Sequence, residues 1–204
     1  MQALIIAVLA ISLYSVQPAE SCKAAETSEA WNYPPRGYEW VSAKNGHIPD
    51  NSVEGGIGNN GKPVYVCRGK HSKNGRANLI PGKATERMRG CNVPFGGKEI
   101  RKASYEVLVK VSDCAADLSW VDASDGNHPE NAVAGGYSCT CDRSTGGDVG
   151  YIGRTEHDEH GAISSGKIQA CNKKFYYSWG GKEYGMKHNY QALVASHPAL
   201  FVKQ

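Results

Sequence analysis

Apolar and polar residues alternate with a partial period of two in Tyr105-Glu106-Val107-Leu108-Val109-Lys110-Val111 and again in Tyr190-Gln191-Ala192-Leu193-Val194. This spacing sends successive side chains to opposite faces, so both segments are read as half-buried antiparallel strands. The chain holds 24 glycines and 11 tyrosines against 3 methionines. Aromatic and β-branched residues suit a pleated surface and glycine supplies positive φ, so many short strands joined by tight turns are expected, with few helices. One apolar run departs from that pattern. Ala3 to Tyr14 is too short to span a bilayer, and Val16-Gln17-Pro18-Ala19 offers small residues at a cleavage point before Glu20. Residues 1–19 therefore read as a signal peptide, although only the α-amino group supplies positive charge at its start. No second such run follows, and a secreted, extracellular protein without membrane insertion is expected.

The chain also lines up with itself at a period of roughly eighty residues, the mark of a tandem repeat. Trp40-Val41-Ser42-Ala43-Lys44-Asn45-Gly46-His47-Ile48-Pro49-Asp50-Asn51-Ser52-Val53-Glu54-Gly55-Gly56 matches the stretch from Trp120 to Gly136 without a gap. Tyr65-Val66-Cys67-Arg68 answers Tyr151-Ile152-Gly153-Arg154, Gly82-Lys83 answers Gly166-Lys167, and Gly96-Gly97-Lys98-Glu99 answers Gly180-Gly181-Lys182-Glu183. The organisation that follows is an N-terminal segment over 20–38, a first repeat over 39–111, a connector over 112–119, a second repeat over 120–195 and a tail over 196–204. The glycine pairs are expected to supply turn conformations closed to other residues, and Trp40 and Trp120 to anchor the core. Arg68 and Arg154 are read either as solvent-face charges or as bidentate anchors.

Charge and cysteine content narrow the function classes. With 23 basic and 20 acidic residues, the chain lacks the clustered basic face that nucleic acid requires. Seven dispersed cysteines in an exported chain point to disulfides with at least one cysteine left over, and the pairing stays open. Cys139-Thr140-Cys141 lacks the partner spacing of a zinc site, and neither metal nor cofactor is expected. Gly161 to Lys167 has phosphate-loop spacing, but Ile168 stands where the magnesium-binding hydroxyl belongs and a β-like segment follows. His157-Asp158-Glu159-His160 reads as a solvated hairpin loop. No nucleophile elbow, His-Glu-x-x-His motif or compelling carboxylate pair occurs, so no enzyme is indicated.

Taken together, Trp, Gly-x-x-Pro-x-Asn-x-Val-x-Gly-Gly, Tyr-Val-x-Arg, Pro-Gly-Lys, Gly-Gly-Lys-Glu and Tyr-Glu-Val-Leu resemble the DM-nine repeat found in tandem in natterin-like lectins. The likeness runs from Trp40 to Val194. It implies an all-β fold in which two tandem repeats exchange strands into one pseudo-symmetric antiparallel β unit, with a possible homodimer. It also implies a lectin that recognises glycans, mannose-like sugars among them, in innate defence. The alternative is a disulfide-stabilised structural or matrix protein that keeps the fold without the sugar site. The family's site uses a lysine after glycine in a Pro-Gly-Lys turn, which transfers to Lys83 and Lys167. It also uses an acid two positions beyond Gly-Gly. That position is Gly58 in the first repeat and Ser138 in the second, so the acceptor is missing. Asn59, or Asp142 and Asp148 in the second repeat, are candidates to replace it. The carbohydrate-binding candidates are thus Lys83, Lys167, Asn59 and Ser138.

Overall fold

A computed structural model of the chain describes residues 33–139, 147–157 and 161–196. The signal-peptide reading over 1–19, most of the N-terminal segment, Asp142, residues 158–160 and nearly all of the tail lie outside them. The first repeat supplies β1 (Tyr38–Lys44), β2 (Glu54–Ile57), β3 (Pro63–Lys73), β4 (Arg76–Thr85), β5 (Gly90–Phe95), β6 (Lys98–Lys102) and β7 (Ser104–Lys110). The second supplies β8 (Leu118–Ala123), β9 (Ala134–Ser138), β10 (Asp148–Glu156), β11 (Ile163–Gln169), β12 (Lys174–Trp179), β13 (Lys182–Met186) and β14 (Tyr190–Ala195). Two single 3-10 turns, Glu86–Met88 and Ala170–Asn172, are the helical elements among the described residues. The fold is all-β.

All strand pairs are antiparallel, and eight of the strands close a ring: β4-β5-β6-β13-β12-β11-β10-β9 and back to β4. The ring crosses from one repeat to the other at two seams. At the first, Lys98 of β6 pairs with Lys182 of β13, the Glu99 N–H donates to the Gly181 carbonyl (3.1 Å) and the Glu183 N–H donates to the Gly97 carbonyl (3.2 Å). At the second, Asn78 and Leu79 of β4 face Ser138 and Tyr137 of β9. Closure satisfies strand edges that an open sheet would expose. Outside the ring, β3, β7 and β1 extend from β4, while β14 and β8 extend from β10.

The two repeats share a core made from β3 and β7 of the first and β10 and β14 of the second. Val66 and Leu108 pack with Ile152 and Leu193, and Trp40 and Trp120 lie partly buried against that cluster. The Arg68 guanidinium sits 4.1 Å above the Trp40 ring, and that of Arg154 sits 4.4 Å above Trp120. Arg68 Nε donates to Glu106 at 2.7 Å and Arg154 Nε to Gln191 at 2.9 Å. Both arginines act as anchors through Nε, each to an adjacent strand. Each clamps a tryptophan to its repeat's closing strand. Cys67 and Cys91 form a buried disulfide between β3 and β5, Cys139 and Cys171 each take part in a disulfide, and Cys114 is a free, exposed thiol.

Two of the glycine pairs serve a purpose other than turns. A Cβ on Gly136 would lie 2.0 Å from the Leu79 carbonyl oxygen, and one on Gly56 would lie 2.1 Å from that of Ile163. These glycines let a strand of one repeat approach the backbone of the other, in symmetric fashion. Gly96-Gly97 and Gly180-Gly181 do occupy turns at positive φ. A second expectation also changes: Pro81-Gly82-Lys83 is no turn but the middle of β4, where Lys83 pairs with Val66 on one side and Asn92 on the other.

Candidate binding site

Lys83 is 1% exposed, a rare setting for an ammonium. β4 directs it toward the first seam, where its Nζ donates to the Ser178 carbonyl at 2.5 Å and lies 3.6 Å from Glu99 Oε1. The same nitrogen stands 4.1 Å from the centre of the Trp179 ring. Burial outweighs the attraction of Glu99 and lowers the lysine pKa from 10.5 to about 8. Glu99 is held in turn by the Gly181 N–H at 2.8 Å. Lysine and glutamate thus come from the first repeat, while the aromatic ring, the carbonyl and the N–H come from the second.

The pseudo-symmetric site mirrors this arrangement. Lys167 on β11 is 6% exposed and lies 3.5 Å from Glu183 Oε1, while Glu183 Oε2 accepts the Gly97 N–H at 2.6 Å. The Lys167 ammonium lies 5.4 Å from the Phe95 ring and 5.3 Å from Tyr176, and burial lowers its pKa too. Trp179 and Phe95 correspond, each preceding its Gly-Gly turn. A histidine packs on each: His157 stacks on Trp179 with ring centres 4.2 Å apart, and His71 meets Phe95 edge-on at 4.7 Å. His157, expected in a solvated loop, is therefore part of an aromatic cluster, with Nδ1 3.1 Å from the Tyr177 hydroxyl.

A cleft of about 600 Å³ opens over Lys83, lined among others by Asn59, Tyr65, Asn92, Glu99 and Trp179. Asn92 Oδ1 is buried there without a hydrogen-bond partner, an acceptor left for something that enters. The 58–62 turn forms one wall, tied by Gly58 N–H to the Lys62 carbonyl at 2.9 Å and by Lys62 N–H to Asn60 Oδ1 at 3.2 Å. A second groove of about 620 Å³ opens over Lys167, lined among others by Lys73, Arg76, Phe95, Tyr176 and Glu183. An ammonium offering three donors, carboxylate and amide acceptors and an aromatic ring are the groups that bind a polyhydroxylated ring.

Of the candidates read from sequence, Lys83 and Asn59 share the first cleft and Lys167 lies at the second. Ser138 lines neither. Its hydroxyl donates to Asn78 Oδ1 at 3.1 Å at the β4–β9 seam. Asp148 is half-buried and accepts the Cys171 N–H at 3.1 Å. The acids beside the lysines, Glu99 and Glu183, were missed as site residues. Both stood in the repeated Gly-Gly-Lys-Glu motif, and each aromatic partner stood immediately before the same Gly-Gly. Recurrence of an aromatic residue and an acid around one turn was the signal.

Comparison with known proteins adds three findings. A family model described as DM9 repeat matches residues 27–77 and 72–144. Natterin-1 of Thalassophryne nattereri is 28% identical over 163 residues, covering 79% of this chain and 39% of its own length, and Natterin-2 of the same organism is 27% identical over 165 residues, covering 79% and 37%. This chain therefore spans well under half of those relatives. Among solved structures, the nematode sperm cell motility protein MFP2B matches with a TM-score of 0.51 at 16% identity, over 78% of this chain and 44% of that one, a likeness of fold alone.

Proposed function

This chain belongs to the DM9 repeat family, and on that premise we propose that it is a secreted, non-catalytic carbohydrate-binding protein whose principal site is the cleft over Lys83. The observation that carries this reading is the buried ammonium of Lys83 facing Glu99, the unpartnered Asn92 carbonyl oxygen and the Trp179 ring within one cleft. A sugar hydroxyl donating to Asn92 or Glu99 and accepting from Lys83 would complete hydrogen bonds that the protein's own groups leave unmade. The disulfides support export into an oxidising compartment. Mannose-like neutral sugars are the first ligands to test, and the structural or matrix alternative keeps the same scaffold without a ligand.

Isothermal titration of the mature protein with mannosides and a panel of other neutral sugars tests this proposal. Lys83→Ala should weaken the sugar that binds by about 10- to 150-fold, the equivalent of a charge-assisted hydrogen bond worth about 1.5–3 kcal/mol. Equal affinity in wild type and variant would refute the assignment of Lys83, and no binding to any sugar would favour the structural reading.

A further inference from the structure

The two clefts share a lysine–glutamate frame and differ in nearly everything around it. At the same register position, opposite Lys83 or Lys167, stands Asn92 in the first cleft and Tyr176 in the second. Glu86 lines the first cleft; in the second, Ala170 takes the matching place in the 3-10 turn and no acid replaces it. Three cations line each cleft, Lys62, Lys83 and Arg87 in the first and Lys73, Arg76 and Lys167 in the second, so the second groove carries the larger excess of positive charge because Glu183 is its one acid. Asn74-Gly75, both at positive φ, form the two-residue turn of the β3–β4 hairpin, which sets Lys73 directly opposite Arg76 at the groove's edge. Neither side chain has a carboxylate partner among the described residues, whereas Glu183, the acid of this groove, is already engaged by Lys167 and the Gly97 N–H. The positive field reaches His71, whose pKa is lowered by burial and then by Lys102, Lys73 and Lys167.

The hairpin that carries these cations is fixed. The Asn78 side-chain amide donates to the carbonyls of His71 (3.2 Å) and Arg76 (3.3 Å), while its oxygen accepts from the Ser138 hydroxyl (3.1 Å) and the Cys139 N–H (3.0 Å). Two uncompensated cations on a braced turn, beside a groove floored by Phe95 and Tyr176, form a preorganised anion cradle next to an aromatic surface.

We propose that the groove over Lys167 binds an acidic saccharide, with its sulfate or carboxylate held between Lys73 and Arg76 and its ring against Phe95 and Tyr176. The inference rests on the reading that these clefts take sugars, and it assigns the two clefts different sugar classes. The Lys73→Glu/Arg76→Glu variant tests it, titrated with a sulfated uronate-containing disaccharide, with the desulfated, carboxyl-reduced analogue, and with inorganic sulfate. Affinity for the sulfated disaccharide should fall at least about tenfold on charge reversal and several-fold in Lys73→Gln/Arg76→Gln. Neutral-sugar binding at the Lys83 cleft and the thermal midpoint should be unchanged, because both positions border an exposed turn. Unchanged affinity in both variants would overturn the proposal. So would inorganic sulfate binding as tightly as the disaccharide, or loss of the disaccharide on Lys83→Ala alone. Neutral binding without acidic binding would sink this inference and leave the earlier one standing. Acidic binding alone would do the reverse, and no binding of either class would sink both.

Discussion

The buried Lys83–Glu99 pair should make the protein less stable at neutral pH than a variant lacking the pair, by an amount that shrinks as pH rises. Folding lowers the lysine pKa from 10.5 to about 8. At 1.36 kcal/mol per tenfold change in proton affinity, the folded state disfavours the charged ammonium by about 3 kcal/mol. Between pH 8 and 10.5 the unfolded chain keeps this proton while the folded chain has lost it, so stability from this residue rises with pH across that window. Below pH 8 the whole penalty applies. Integrating the two titrations gives a gain of about 2 kcal/mol between pH 7 and 9.5. Lys83→Met/Glu99→Gln keeps the volume and removes both charges, so at pH 7 it should exceed wild type by roughly 1–4 kcal/mol, the usual range for such replacements. Urea denaturation of both proteins at pH 7 and pH 9.5 measures this, and other titrating groups cancel in the difference. The variant's advantage should fall by about 2 kcal/mol between the two conditions. A constant advantage would show that Lys83 does not titrate there, and a variant clearly less stable than wild type would show that the pair stabilises the seam.

Three further outcomes are expected. If the ammonium is the form that holds the sugar, affinity at the Lys83 cleft should be about tenfold lower at pH 9 than at pH 7, because a group with a pKa of about 8 changes its charged fraction by that factor; titration calorimetry across this range checks it. Gly136→Ala should cost about 3 kcal/mol or more, since its methyl would meet the Leu79 backbone. Gly181→Ala, at φ 84° with open space around it, should cost only about 1–2 kcal/mol in backbone strain, and chemical denaturation separates the two. Asn78→Ala removes four hydrogen bonds at the hairpin and the β4–β9 seam. A loss of about 3 kcal/mol, with faster hydrogen exchange at residues 71–76, is expected.

Much of the fold was legible because it repeats. The alternation in Tyr105–Val111 and Tyr190–Val194 marked β7 and β14, and the gapless match from Trp40 and Trp120 marked two equivalent units. What the pattern could not carry was which strand lies beside which across the chain. Gly55-Gly56 and Gly135-Gly136 looked like turn formers, because a lone sequence does not distinguish a glycine chosen for φ from one chosen for close approach. Lys83 was read in a turn for a similar reason: Pro81-Gly82 signals a turn locally, and only pairing with β3 and β5 on both sides makes it strand. The histidine of the 157–160 cluster looked solvated because its partners, Trp179 and Tyr177, lie some twenty residues away.

The site was harder to read than the fold because neither repeat contains it. Lys83 and Glu99 reach across the first seam to Trp179, the Ser178 carbonyl and the Gly181 N–H, and Lys167 and Glu183 reach back to Phe95 and the Gly97 N–H. The family resemblance placed the acceptor two positions beyond Gly-Gly, at Gly58 and Ser138, and so not at the acid sixteen positions beyond each lysine. The glutamates also bond the seam that closes the ring, so the charged frame is tied to the fold and recurs in both copies. Positions that do not bond the seam are free to differ, and they do: Asn92 against Tyr176, Trp179 against Phe95, Glu86 against Ala170. The shared frame accounts for two clefts at symmetric places. The residues around the frame then set the charge of each cleft, which is why two copies of one repeat can present a cleft with two acids and a groove with one on a single scaffold.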